Sequence, residues 1–518
     1  MRNSIIKTVK ALLVIFLFNA CSEDFLDLKP LDREVSSNFY QTQDQAFQAL
    51  VAVYDAVKYQ ESPGVSWAPF VTMSDILSDD AYAGGSDAND GLDENEFNMF
   101  NIPPTSKIAH SIWIKNYIGI YRANLFLEII DGTTSTDEFK TRTKAEAKFL
   151  RAYFYLELVR FFENIPLLTE TIKSTSEYTQ EQVSPQEVYN QIALDLVEAI
   201  PDLPETLPTE EGGRVTKWAA QGLLARTFLF FNGVYGGNMQ AGNIVVDQAY
   251  VLQQLEDLIQ NSGHDLFDDY SMNFKLAGEF GIESVFEISY GDTPAWWDWN
   301  YVRGGNGNLS AQMNGPRVAG SDNWNRGWSF CTVSQRLVEE LEDDPRFQYT
   351  IVKQEDLDGV LTTGFQHTGY FSRKYTSDAE HWGADGQFEL NRTCNHRVIR
   401  FSDVLLMAAE LGSPNAQDYL DRVRDRVGLP SVTATLDNIL KERRLELSLE
   451  GIRYFDVLRR GVSYASQTFT VSGERGPNYI GDQILFDVTF KPLTKGFLPI
   501  PQAEINLSGG VFVQNDGY

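Results

Sequence analysis

Cysteine is nearly absent: Cys21, Cys331 and Cys394 are the three in 518 residues. That excludes a disulfide scaffold, and a single bridge between Cys331 and Cys394 is neither demanded nor ruled out. Histidine is scarce too. His110, His264, His367, His381 and His396 show no HExxH or CxxC-type partner spacing, so no zinc or other metal site and no cofactor is expected. Basic residues lag far behind acids, 43 against 72, for a formal net charge of −29. Such acidity repels phosphate backbones and excludes nucleic acid as a partner, while it suits a well-solvated surface. Long apolar runs are missing as well. Beyond residue 20 nothing approaches the roughly 18 consecutive apolar residues of a membrane-spanning helix, so the body is expected to be soluble.

The first twenty residues are organised differently. Arg2, Lys7 and Lys10 come without an acid, a short apolar block fills 11–18, and the small Ala20 precedes Cys21. This is the layout of a secretory signal peptide. One that ends in a small residue and cysteine resembles a bacterial lipoprotein signal, which implies lipid attachment at Cys21 after removal of 1–20. Glu23 and Asp24 resemble the tag that sends some lipoproteins to the outer face of the outer membrane. Residues 21–36, polar and broken by Pro30, read as a tether.

From 37 to 261 the pattern is helical. "QTQDQAFQALVAVYDAVKYQ" places Ala46, Leu50, Val53, Ala56 and Val57 at helical spacing, with Asp44 available as a cap. Four more stretches of the same kind follow: "NYIGIYRANLFLEIID", "TKAEAKFLRAYFYLELVRFF", "SPQEVYNQIALDLVEAIPDL" and "TKWAAQGLLARTFLFFNG". Pro- or Gly-bearing loops join them, as in stacked helix pairs. Ala145, Ala147, Ala219, Ala220 and Ala225 would allow the close crossings of tetratricopeptide-like solenoids, although no strict 34-residue period is present. The remainder, 262–518, opens with a loop-rich region at 262–400, where "ESVFEISY" reads as a strand. Helical patterning resumes at "RFSDVLLMAAEL", "NAQDYLDRVRDRVGL" and "LDNILKERRLELSLEGIRYFDVLRRG". The terminal "KPLTKGFLPIPQAEINLSGGVFVQNDGY" has Pro and Gly too closely spaced for regular helix and reads as an ordered tail wrapping the body.

"EAKFLRAYFYLELVRFFENIPLL", "RVIRFSDVLLMAAEL", "RVRDRVGL", "KERRLELSLEGIRYFDVLRRG" and "LPIPQAEINLSGGVFVQNDGY" together resemble the SusD/RagB family of outer-membrane nutrient-binding lipoproteins. They occur in the family's order from end to end of the chain. Two departures fall at helix ends: Glu163-Asn164 replaces the usual glycine, and "LGSPNAQ" is shortened. The resemblance implies a mostly α fold, four tetratricopeptide-like helix pairs with a loop-rich remainder carrying short strands. It also implies capture of oligosaccharide at the cell surface and delivery to a SusC-like TonB-dependent transporter in the outer membrane. Peptide-capturing relatives share the architecture.

Three constellations bear on function. Glu442, Glu446 and Glu450 fall at i, i+4, i+8, and paired carboxylates serve glycoside hydrolysis. Alternating with Arg443, Arg444 and Arg453, they read instead as a salt-bridge lattice, and no catalytic residue is assigned. The tract "ILSDDAYAGGSDANDGLDENEF", with Asp79, Asp80, Asp87, Asp90, Asp93, Glu94 and Glu96, lacks the EF-hand arrangement for calcium and reads as a polar loop available to sugar. Finally, five of the nine tryptophans, Trp296, Trp297, Trp299, Trp324 and Trp328, fall within 33 residues, among Asp298, Asn300, Asn323, Asn325 and several glycines. Such loops suit a sugar platform: the C–H face of a pyranose stacks on an indole while hydroxyls bond to amides and acids. Packing of a tryptophan-rich loop on the helical body is the competing account and is expected to claim two of the five. Trp296, Trp299 and Trp324 with Asn300 and Asn323 are the expected contacts. The resemblance adds Trp67 and Tyr82. A non-catalytic glycan-binding lipoprotein is the leading reading, ahead of peptide capture and of a glycoside hydrolase.

Overall fold

In a computed structural model the described residues are 40–59, 66–174, 177, 179–292, 307–382, 389–474 and 486–518. Cys21, the leader, the tether and the segment containing Trp296, Trp297, Trp299 and Asn300 lie outside them.

Each long helix starts at a side chain that satisfies an otherwise unpaired backbone N–H. Thr42, not Asp44, caps Gln43–Val57, in a reciprocal box with Gln45, while Asp44 sits in the first turn. Ser106, Thr136, Thr216 and Asp247 begin Lys107–Ile129, Asp137–Phe162, Lys217–Tyr235 and Gln248–Asn261 in the same way. Ser184, boxed with Glu187, begins Pro185–Ala199. These six helices pack consecutively, each against the next. Gly119 makes one crossing close: a Cβ there would lie 2.4 Å from the ring of Phe154. The expected alanines are all buried at 0–2 % exposure.

The stack continues after the loop-rich region. Phe401–Glu410 packs on Gln248–Asn261 and on Ala416–Asp425, so the fourth helix pair is supplied from far along the chain. Beside the stack lies a small antiparallel sheet in the order Ala81–Ala83, Cys331–Val333, Tyr370–Ser372, Ile351–Lys353. The anticipated strand is Ser284–Ile288, paired with His396–Arg400. The tail wraps as expected: Leu498 N donates to Phe161 O at 2.7 Å, and Asn515 Nδ2 to Phe162 O at 2.7 Å. It does hold one short helix, Gln502–Leu507, because its Pro501 sits just outside the first turn, where no N–H is needed.

The carboxylate lattice is real, but its partners are not the neighbouring arginines. Arg400, 1 % exposed, bonds Glu283 (2.7 Å), Glu446 (2.8 Å) and both oxygens of Glu450 (2.9 and 2.8 Å). Glu446 also accepts from Arg346 (3.0 Å) and Arg426, while Lys374 reaches Glu450 at 2.7 Å. These arginines hold the Glu446 carboxyl well below its usual range, against the opposing effect of burial.

The acidic tract is not an open loop. Ala81–Ala83 is a strand and Leu92–Asn98 a helix within it. Asp79 and Asp80 are buried, Asp79 binding Arg453 at 2.8 Å and Asp80 binding Arg444 at 2.7 Å. Asp87, Asp90 and Asp93 remain on the surface. Cys331 and Cys394 are both buried free thiols.

Glu446→Gln should lower stability by about 3–5 kcal/mol, because three buried guanidinium groups lose a shared counter-charge. Chemical denaturation checks this, and a loss under about 1 kcal/mol would contradict it. Glu94 behaves oppositely. Burial, with Asp93 and Asp90 nearby, pushes its carboxyl up to about 7. A raised folded-state value favours the protonated form, so this contribution to stability is present below about pH 4.5 and lost as the pH rises through 7. Glu94→Gln should therefore raise the melting temperature at pH 8 and leave it unchanged at pH 4; an equal effect at both would refute the assignment.

Candidate functional site

Two indoles from distant parts of the chain meet at the edge of the loop-rich region. Trp67 and Trp328 stack with ring centroids 5.1 Å apart and planes at 21°, and both are partly exposed. Trp67 is held from below. Ser66 N donates to Ser111 Oγ at 3.1 Å, Ser111 Oγ donates back to Ser66 O at 2.6 Å, and Lys115 Nζ reaches Ala68 O at 3.0 Å. All three bonds tie this segment to Lys107–Ile129, a helix of the stack.

Trp328 is positioned by a short helix, Leu309–Asn314, capped by Asn308. Trp328 N donates to Gln312 O at 3.0 Å, Ser329 N to Gly315 O at 2.9 Å and Phe330 N to Met313 O at 2.7 Å. Gly327 permits the approach, since a Cβ there would lie 2.2 Å from the Gly315 carbonyl. The indole N–H donates to Glu389 Oε2 at 3.1 Å, and Arg317 Nη1 donates to Trp328 O at 3.2 Å.

Gln312 links this pair to a third indole. Its Oε1 accepts from Arg392 Nε and Nη2 at 2.9 and 2.6 Å, and the Arg392 guanidinium lies 4.5 Å above the ring of Trp382. Burial pushes the Arg392 group down to about 10. Trp382 is partly exposed. The stacked indoles thus have the Glu389 carboxylate and the Arg317 guanidinium beside them, donors and acceptors of the kind a hydroxylated ring requires, while Arg392, 1 % exposed, braces Trp382 from within.

The expected residues are not all placed together. Trp67 joins the surface stack. Trp324, expected as an exposed face, is 6 % exposed in a small second core with Val318, Val352 and Phe371. Tyr82 is likewise corrected: it is 2 % exposed, on the strand Ala81–Ala83 at one edge of the small sheet, and its hydroxyl donates to Glu474. Asn323 is exposed, but its amide donates to Asp358 at 3.2 Å and its carbonyl accepts from Ala379 N at 3.0 Å, so it braces a loop. Trp296, Trp299 and Asn300 lie outside the described residues. Trp328 lies in the flagged cluster but, between Gly327 and Ser329, lacks the Asn or Asp neighbour that singles out Trp296, Trp299 and Trp324 in the sequence. Trp382 was missed entirely, although "EHWGADG" carries the same mix of indole, acid and glycine.

Trp324→Ala should destabilise the chain by about 3–5 kcal/mol, the usual cost of emptying a core indole site. Trp328→Ala should cost far less. Paired thermal melts check the contrast, and equal losses would put both indoles in the core.

Comparison with known proteins converges on one family. A family model described as SusD family matches residues 343–518, and one described as starch-binding associating with outer membrane matches 24–229. A SusD-like protein of Bacteroides ovatus is 26% identical over 467 residues, 85% of this chain and 80% of that protein. Among solved structures, a laminarin binding SusD-like protein is 32% identical with a TM-score of 0.79, covering 92% of this chain and 100% of that one. Surface glycan-binding protein A from Bacteroides thetaiotaomicron, in complex with laminarihexaose, is 30% identical with a TM-score of 0.80, again covering 92% and 100%. The two solved structures are named as binding proteins. With that identity over the whole of the matched chains, this chain belongs to the SusD family.

Proposed function

We propose that the chain is a cell-surface lipoprotein that captures an oligosaccharide on the Trp67–Trp328 platform and delivers it to a TonB-dependent transporter. The observation that carries the binding step is the stacked, partly exposed indole pair, held by backbone bonds and edged by Glu389 and Arg317. Laminarin, an uncharged glucose polymer, is the first ligand to test, because two similar structures carry laminarin or laminarihexaose in their names. An uncharged chain also suits a protein of net charge −29. Attachment to the outer membrane rests on the lipoprotein-like leader ending at Cys21, supported by the description of one matching family. Handover to the transporter rests on family membership.

Electrophoresis through laminarin-containing gels, followed by calorimetry with laminarihexaose, tests the reading. The parent chain should be retarded, and Trp328→Ala should bind about thirtyfold more weakly, the effect of removing about 2 kcal/mol of contact. Incubation with bound glycan should release no new reducing ends. Unchanged affinity in Trp328→Ala would remove the platform from its role, and steady product formation would replace binding by hydrolysis.

A further inference from the structure

A second cleft, of about 620 Å³, runs beside the strand Ser284–Ile288. Its walls are the 205–216 loop, which joins two helices of the stack, and the turns at 262–264 and 279–282. The volume is that of a ligand pocket, typically about 300–1,000 Å³. At its rim stands Phe280, 47 % exposed and with φ +52°. A bulky residue in the left-handed region is an outlier, and glycine would sit there without strain.

The surroundings hold Phe280 in this conformation. Its N–H donates to Glu287 Oε2 at 3.0 Å, and Glu287, 4 % exposed, is fixed in turn by Ser284 Oγ (2.6 Å) and Asn395 Nδ2 (2.8 Å). The flanking glycines are locked. A Cβ on Gly278 would lie 1.9 Å from Met272 O, and one on Gly281 2.4 Å from the ring of Phe267. Strain that its surroundings over-determine gathers at ligand sites. Here its effect is to present an aromatic face to a cleft.

The remaining lining mixes apolar, hydroxyl and charged chemistry. Ile282 is 46 % exposed, and Thr206, Thr209, Ser262 and His264 line the cleft together with Glu205, Arg214 and Glu279. His264 Nδ1 lies 2.9 Å from Ile282 O; a carbonyl only accepts, so Nδ1 carries the proton and Nε2 is left as an acceptor. A smaller cleft of about 250 Å³ shares Gly213, Phe286 and Glu287 with this one and extends to Ser289, shortly before the tryptophan-rich loop in the chain.

We propose that this cleft is a second glycan subsite, where the Phe280 ring stacks on one pyranose face and the threonine hydroxyls and His264 Nε2 meet its hydroxyl groups. The proposal rests on the glycan-binding reading above and adds a site to it. Phe280→Gly is the informative variant, because glycine suits the backbone while removing the ring. It should melt at or above the parent temperature, yet bind laminarin polymer about tenfold more weakly. Trp328→Ala should retain a weak laminarihexaose site that disappears when Phe280→Gly is added. Full polymer affinity in Phe280→Gly, a lowered melting temperature, or no residual site in Trp328→Ala would each overturn the second subsite and leave the platform untouched. A parent chain that binds neither probe overturns both.

Discussion

The interaction on which the rest depends is the buried ion network around Arg400 and Glu446. Arg400 sits where the strand His396–Arg400 passes directly into the helix Phe401–Glu410. It therefore marks the junction between the loop-rich region and the fourth helix pair. Burying charges is expensive unless every one is paired and bonded, and a half-satisfied network is worse than an apolar core. Here the carboxylates come from the turn just before the strand Ser284–Ile288 and from the end of the helix Leu436–Leu447, the cations from four separate segments. No subset of these segments satisfies the charges alone, so the network couples the geometry of the loops to that of the stack.

A second group of pairs transmits this order towards the platform. Arg444, on the same helix as Glu446, reaches Asp80, and Arg453 reaches Asp79. Both aspartates immediately precede the first strand of the small sheet, whose second strand, Cys331–Val333, follows Trp328 by two residues. If Trp328 stacks on a sugar as proposed, its rotamer and backbone need to be settled before the ligand arrives, since ordering at the moment of binding subtracts from affinity. Placing the indole just ahead of a strand buried on this frame meets that need.

Much of the scaffold was legible because its signals are local. Apolar stripes and small residues at crossings act within a turn or two of helix and located the stack, and apolar alternation located the Ser284–Ile288 strand. What failed was long-range. Asp79 and Asp80 look like loop carboxylates until Arg444 and Arg453 arrive from the far end of the chain. Trp324 and Trp328 share one sequence environment, yet Val318, Val352 and Phe371 close over the first while Trp67 meets the second. Composition reports that a loop is rich in indoles; only the tertiary fold decides which ring faces are spent on packing.

That distinction shapes what the platform can do. Because Trp67 and Trp328 stack on each other, each has one face already covered, and a sugar ring can address only an outer face or the shared edge. Among the described residues the pair is thus a ledge two rings thick. A ledge gains contact mainly by engaging successive rings of a longer chain, since one pyranose covers little of it. Affinity on such a surface grows with the number of sugar units held at once, through the high effective concentration of each further unit. On the proposed reading, such a ledge holds a longer glycan more tightly than a single sugar ring.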